Sequence, residues 1–275
     1  MRERAALQKE AMDMLKKTSR TFYIPITFLD PTLKKAVASA YLCMRAIDEI
    51  EDHESLGHNE KQQLLLATSK MLLNDDFNSK EYEELVAPFN NILPEVSIRL
   101  GDWIEICPTD LVETVKAYTG EMAEGMAKWV GKNWQVKTKE DLDEYTYYVA
   151  GLVGVMLSDL WKWNADIDTD RELAIAYGRG LQAVNILRNK EEDSERGVQF
   201  FPEGWTRADM FDYAEGNLAK ADKYIKSINR RSILLFCKLP LALAHKTLKA
   251  LKSGKEKMSR TEVEATVEEV QAEVN

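Results

Sequence analysis

The feature that most constrains this chain is the spacing of its apolar residues. They recur three and four positions apart almost without a break, the period of helices that bury one face. Only 7 prolines and 13 glycines punctuate the 275 residues. The pattern predicts helices over 4–18, 31–53, 58–74, 79–88, 90–105, 109–131, 138–164, 169–194, 206–228, 231–253 and 259–273. Asp30-Pro31 supplies an N-cap and a first-turn proline. Thr138 followed by Asp141 fits a capping box. Val198–Phe201 is the best strand candidate, but it lies between Gly197 and Pro202 and reads as loop. No repeat or Gly/Ser/Pro linker divides the chain. The expectation is a single all-α domain over residues 1–275, whose charge-rich tail from 253 onward is a solvated helix or partly disordered.

Composition then removes whole classes of function. A net charge of -9 opposes binding to a phosphate backbone, so no nucleic-acid partner is expected. Cys43, Cys107 and Cys237 form no CxxC pair, which argues against a disulfide framework or a zinc site and for a reducing compartment. The opening MRERAALQKEAMDMLKK lacks the apolar stretch of a secretory signal. The apolar runs YYVAGLVGVMLS and ILLFCKLPLALA are too short or too broken to span a bilayer. The expectation is a cytoplasmic protein with at most transient membrane-surface contact and no protein partner.

Two apolar helices carry polar stripes. In the first, Tyr41, Arg45, Asp48 and Asp52 share a face at i, i+4, i+7 and i+11. Two converging carboxylates repel unless a cation or proton intervenes. Oxygen ligands of this kind suit Mg²⁺, which bridges carboxylates to substrate phosphates. The bland alternative is a solvated acidic face, since Glu49, Glu51 and Glu54 surround the pair. In the second helix, Gln182, Asn185, Asn189 and Asp193 fall at i, i+3, i+7 and i+11, with Arg188 beside them to pair a diphosphate oxygen. A structural hydrogen-bond network is the alternative there. Taken together, the stripes suggest a cavity between helices with cation-binding oxygens facing each other. A di-iron carboxylate bundle is ruled out. It needs Glu three residues before His, and Ile50, Ser55 and Ala242 precede His53, His58 and His245.

Further pocket material lies at residues 144–161, where Tyr145 and Tyr148 accompany Gly151 and Gly154. A glycine inside a helix costs about 1 kcal/mol against alanine, so it has a spatial reason. Tight helix packing and room for an elongated apolar ligand both remain open. Ser19, Arg20 and Phe22 follow the basic end of the first helix, where phosphate is attracted.

The segments SRTFYIPITFLDP, YLCMRAIDEIEDHE, YTYYVAGLVG and NILRNKEEDSERGVQFFPEGW, in that order, resemble the squalene/phytoene synthase family over residues 15–250. The resemblance implies the isoprenoid synthase fold, with helices around a deep apolar cavity and two acidic motifs at its mouth. It implies that Asp48 and Asp52 hold Mg²⁺ on a prenyl diphosphate, with Tyr41 and Arg45 beside them and Ser19 and Phe22 near the diphosphate. It places Tyr145 at the start of a catalytic helix. It makes Gln182, Asn185 and Arg188 the approach to a second motif that ends at Asp193. Asn189 departs from this pattern, because the family has an aspartate there. An amide oxygen ligates without charge, and unit charges near contact exchange about 1–4 kcal/mol at effective dielectrics of 80 to 20. On this reading Asp48, Asp52, Asn189 and Asp193 form the metal set, its second half weakened.

The resulting expectation is Mg²⁺-dependent removal of diphosphate from a prenyl diphosphate, farnesyl diphosphate first, to give the alcohol. Asp48, Asp52, Tyr145 and Asp193 are the catalytic candidates. Head-to-head condensation of two prenyl diphosphates is the alternative, and a non-catalytic isoprenoid-binding protein is the third reading.

Overall fold

The periodic positions fold as helices throughout the computed structural model, which describes residues 4–74, 77–255 and 257–274. Among the described residues the only β pairing is an isolated bridge between Gln135 and Gln199, so Val198–Phe201 is indeed loop. In order, the α-helices are α1 Arg4–Thr18, α2 Arg20–Thr27, α3 Pro31–Glu51, α4 His58–Leu73, α5 Ser79–Val86, α6 Glu95–Ile98 and α7 Leu100–Glu105. Then follow α8 Val112–Gly131, α9 Lys139–Thr146, α10 Leu152–Ala165, α11 Arg171–Glu195, α12 Arg207–Tyr224, α13 Arg231–Lys252 and α14 Arg260–Val274. A π-helical segment, Tyr147–Gly151, joins α9 directly to α10.

The predicted caps are present. The Asp30 side chain accepts from the Leu33 amide at 3.1 Å, with Pro31 in the first turn. Thr138 and Asp141 cap α9 reciprocally. Two expectations needed correction. The continuous helix over 90–105 is broken, because Pro94 is the extended N-cap of α6 and residues before it leave the helix. Helix α2 was not expected, since Pro25 and β-branched neighbours disguise it, although proline in its interior removes only one backbone donor.

The chain forms two compact units. One runs up to Tyr23 and takes in Asp30–Asn133; the other comprises Ile24–Leu29 and everything from Trp134 onward. In the first unit α3 is the axis, packed by α1, α4, α6, α7 and α8. Its side chains from Leu33 to Ile50 are mostly buried, and Trp103 and Trp129 are fully buried around it. Each such aromatic contributes about 1.5–3 kcal/mol by leaving water. Ser39 and Ser97 tie the layers by donating to the carbonyls of Trp103 and Ala46, at 2.7 and 2.8 Å.

In the second unit α11 is the axis, against α9, α10, α12 and α13. Its neighbours approach very closely. A Cβ on Gly154 would stand 2.2 Å from the Ala174 carbonyl oxygen, and one on Gly178 would stand 2.1 Å from that of Ala150. Close packing therefore accounts for Gly154, and Gly151 is likewise crowded by Ile175. The tail is a helix, α14, whose Val270 packs on Leu235 and Leu239 of α13.

Candidate active site

The first polar stripe is assembled in the first unit. Where α1 gives way to α2, the Ser19 hydroxyl accepts from the Phe22 amide at 2.9 Å, which fixes the turn. The Phe22 ring then lies 5.9 Å from that of Tyr41 on α3. Burial raises the Tyr41 phenol above its usual range, against smaller opposing effects of a Ser19 hydrogen bond and the Arg45 charge. Tyr41 is therefore a protonated donor. One turn on, Arg45 donates to Asp48 at 2.9 Å and also pairs with Glu49. Its Nε–H is buried without an acceptor among the described residues. Of the residues singled out here, Arg20 is in α2, but its side chain lies outside those described.

At the end of α3, oxygens of Asp48, Glu51 and Asp52 lie within 4.8 Å of one another. Burial first, then the charge of Asp52, pushes the Asp48 carboxyl up to about 7. Carboxylates this close repel unless a proton or a cation comes between them. Three carboxylate oxygens at this spacing fit a divalent ion such as Mg²⁺. Glu51 was passed over in the sequence as part of a solvated face, yet it is 2 % exposed. Its signal was the spacing, i+3 from Asp48, on a helix already judged central. The buried Lys61 holds this end in place, donating from Nζ to the Glu51 carbonyl at 2.6 Å. Lysine there complements the negative end of the helix.

The second stripe lies on α11 in the second unit. Gln182, Asn185 and Asn189 are half-buried, Arg188 is exposed and Asp193 is buried. Arg188 Nε donates to Asn189 Oδ1 at 3.2 Å. Arg196 donates to Asp193 Oδ1 at 2.6 Å. The helix stops here because Gly197 adopts φ 74°, and the Val198 amide turns back to the Asp193 carbonyl at 2.9 Å. The following loop is pinned by Val136, whose amide donates to the Gln199 carbonyl at 2.9 Å. It closes over a cleft of about 430 Å³ lined by Lys190, Asp193, Ser194, Phe200, Phe201 and Trp205, among others. Tyr145 is buried and stacks on Phe200 with ring centroids 4.6 Å apart, so it stands behind this loop. Arg196 was not anticipated; it is the C-cap of α11, just past the stripe.

The chain can now be set beside known proteins. The family model for squalene/phytoene synthase matches residues 15–210. The chain belongs to the squalene/phytoene synthase family. A squalene synthase of Panax ginseng is 32% identical over 267 residues, covering 86% of this chain and 61% of its own length. The squalene synthase of Mus musculus is 29% identical over 268 residues, covering 88% and 63%. The chain thus spans somewhat under two thirds of the length of these curated relatives. The ligand complex of TcSQS superposes with a TM-score of 0.78 at 24% identity, covering 96% of this chain and 86% of that one. A dehydrosqualene synthase in complex with a ligand gives 0.67 at 21%, covering 98% and 97%. At those identities the likeness establishes the fold, which is the isoprenoid synthase fold.

Membership of the squalene/phytoene synthase family, a family of enzymes, corrects one expectation outright. Hydrolysis of a prenyl diphosphate to its alcohol rested on the uncharged Asn189. The relatives at this level of identity are squalene synthases, and that finding overturns hydrolysis as the main reading.

Proposed function

We propose that this chain joins two prenyl diphosphates head to head, with Mg²⁺ as cofactor and farnesyl diphosphate as the first substrate to test. The observation that carries the reading is the squalene synthase likeness, which covers 86% of the chain at 32% identity. Asp48, Glu51 and Asp52 are the residues that would hold Mg²⁺. Bound there, the ion would neutralise charge building on a departing diphosphate.

The chain's own groups do the rest. Arg45 carries a buried N–H that lacks an acceptor among the described residues, and a diphosphate oxygen is the acceptor that fits. Tyr41, kept protonated by burial, donates from the next turn of the same helix face. Phe22, tilted against Tyr41, presents an aromatic surface beside them, of the kind that favours a neighbouring cation. Each of these donors is set before substrate arrives, so little reorganisation accompanies ionisation.

Product analysis tests the proposal. Incubation with farnesyl diphosphate and MgCl₂, with and without NADPH, is expected to yield presqualene diphosphate, dehydrosqualene or squalene. Turnover without any coupled product would overturn it.

A further inference from the structure

Two residues before Tyr145, groups from three helices meet at Asp143. From α11, Arg179 donates through Nε and Nη2 to the Asp143 carbonyl, at 3.2 and 2.8 Å. The Tyr147 amide donates to the same carbonyl, where α9 passes into the π-helical segment. From α12, the Tyr213 hydroxyl donates to Asp143 Oδ1 at 2.7 Å, and Thr146 Oγ1 lies 3.2 Å from that hydroxyl. Lys139 of α9 pairs with the second carboxylate oxygen at 2.8 Å. Burial, above all, pushes the Tyr213 phenol well beyond its usual range, so it stays protonated and donates.

The same side chains reach the cleft. The Tyr213 ring meets Trp205 edge-on with centroids 5.8 Å apart, and Tyr145 stacks on Phe200. Phe200 and Trp205 line the cleft together with Asp193. The aromatic loop is thus gripped at two places, and both grips are anchored at Asp143. Tyr213 is anchored by a hydrogen bond to an ionised acceptor, the stronger kind. Tyr145 is anchored by two residues of helix. A ring contact alone lets a loop slide, whereas two contacts tied to one point fix it. Arg179 joins this circuit to α11, the helix that carries Asp193.

We propose that Asp143, Tyr213 and Arg179 are positioning residues that hold Tyr145 and the aromatic loop over the cleft as one unit, so that this wall is formed before substrate arrives. That the wall serves head-to-head coupling rests on the reading above; the hold on the loop does not. Positioning of this kind acts on the transition state, so its loss lowers kcat more than it raises KM.

The test follows amide hydrogen exchange by mass spectrometry in the full chain without substrate. The loop offers hydrogen-bonded amides at Gln199, Glu203 and Trp205 as reporters. Tyr213→Phe, which removes one hydroxyl and keeps the ring, and Asp143→Ala are each expected to speed exchange over 199–205 about tenfold, with peptides from α3 unchanged. The double variant should exchange no faster than the faster single, because the two act through one bond. Asp143→Asn keeps an acceptor for Tyr213 and should recover much of the protection. With farnesyl diphosphate and MgCl₂, Tyr213→Phe should lower kcat about tenfold and leave KM within about twofold. Unchanged exchange over the loop, exchange raised equally in α3, additive single effects, or an unchanged kcat would overturn the inference. Exchange needs no turnover, so it still decides whether the loop is held if the wild type forms no coupled product.

Discussion

Asp48 bears its charge against the preference of its surroundings. Its carboxyl is raised from an ordinary 3.8 to about 7 by burial and by Asp52. A carboxyl raised on folding favours the folded state fully below its unfolded value, and that contribution is lost as pH rises through the folded value. In EDTA, Asp48→Asn is therefore expected to raise stability at pH 8 by about 1–2 kcal/mol, allowing for the solvent that still reaches the group. The gain should shrink towards pH 5. Thermal denaturation across that range checks it, and added Mg²⁺ should stabilise the wild type only. The cysteines present a different case. Burial pushes the Cys107 thiol up to about 11 and those of Cys43 and Cys237 higher still. All three are buried and free, so the native protein should resist iodoacetamide at pH 8 and react once denatured.

Helix packing sets what substitutions each element tolerates. Gly154→Ala drives a methyl group to 2.2 Å from a backbone oxygen, which a side-chain rotation cannot relieve. The expected cost is about 1–3 kcal/mol in urea denaturation, at the upper end of overpacking. Gly216 on α12 has nothing within 4 Å of such a methyl, so Gly216→Ala should stabilise by about 0.5–1 kcal/mol. The contrast also marks how far the sequence could be read. Helix existence was legible wherever apolar period and caps agreed, as at Asp30-Pro31 and Thr138. It failed where a proline sat mid-segment: Pro94 broke one predicted helix and Pro25 hid a real one. The glycines signalled crowding or space equally well, because that choice depends on which neighbour arrives, and here Ala174 and Ala150 arrive. The stripe on α3 was legible because a helix turns spacing into direction. Glu51 was missed because acid at an apparent surface is common, and Arg196 because a helix end is set by one left-handed glycine.

Over the whole molecule, charge and chain length matter more than any one contact. No helix among the described residues is long and apolar enough to cross a membrane. With a net charge of -9, electrostatics will not draw this chain to acidic lipid. Any transient membrane contact would then rest on apolar side chains. Cosedimentation with phosphatidylserine vesicles should accordingly be no greater than with phosphatidylcholine vesicles at physiological salt. The curated relatives are longer, with 61% of the Panax ginseng sequence covered. The coupling assay on these 275 residues therefore also asks whether the shared portion suffices for the chemistry.

The π-helical turn at Tyr147–Gly151 carries one more consequence. Such a turn behaves as a single-residue insertion in an α-helix. Its wider winding absorbs that residue on the spot, so the segments on either side keep nearly the relative direction of an uninterrupted helix. Excising one residue should therefore leave Tyr145 on the Phe200 ring and Gly154 against Ala174. The local bulge accommodates an additional side chain in this stretch without turning the aromatic contact at one end away from the bare backbone at the other.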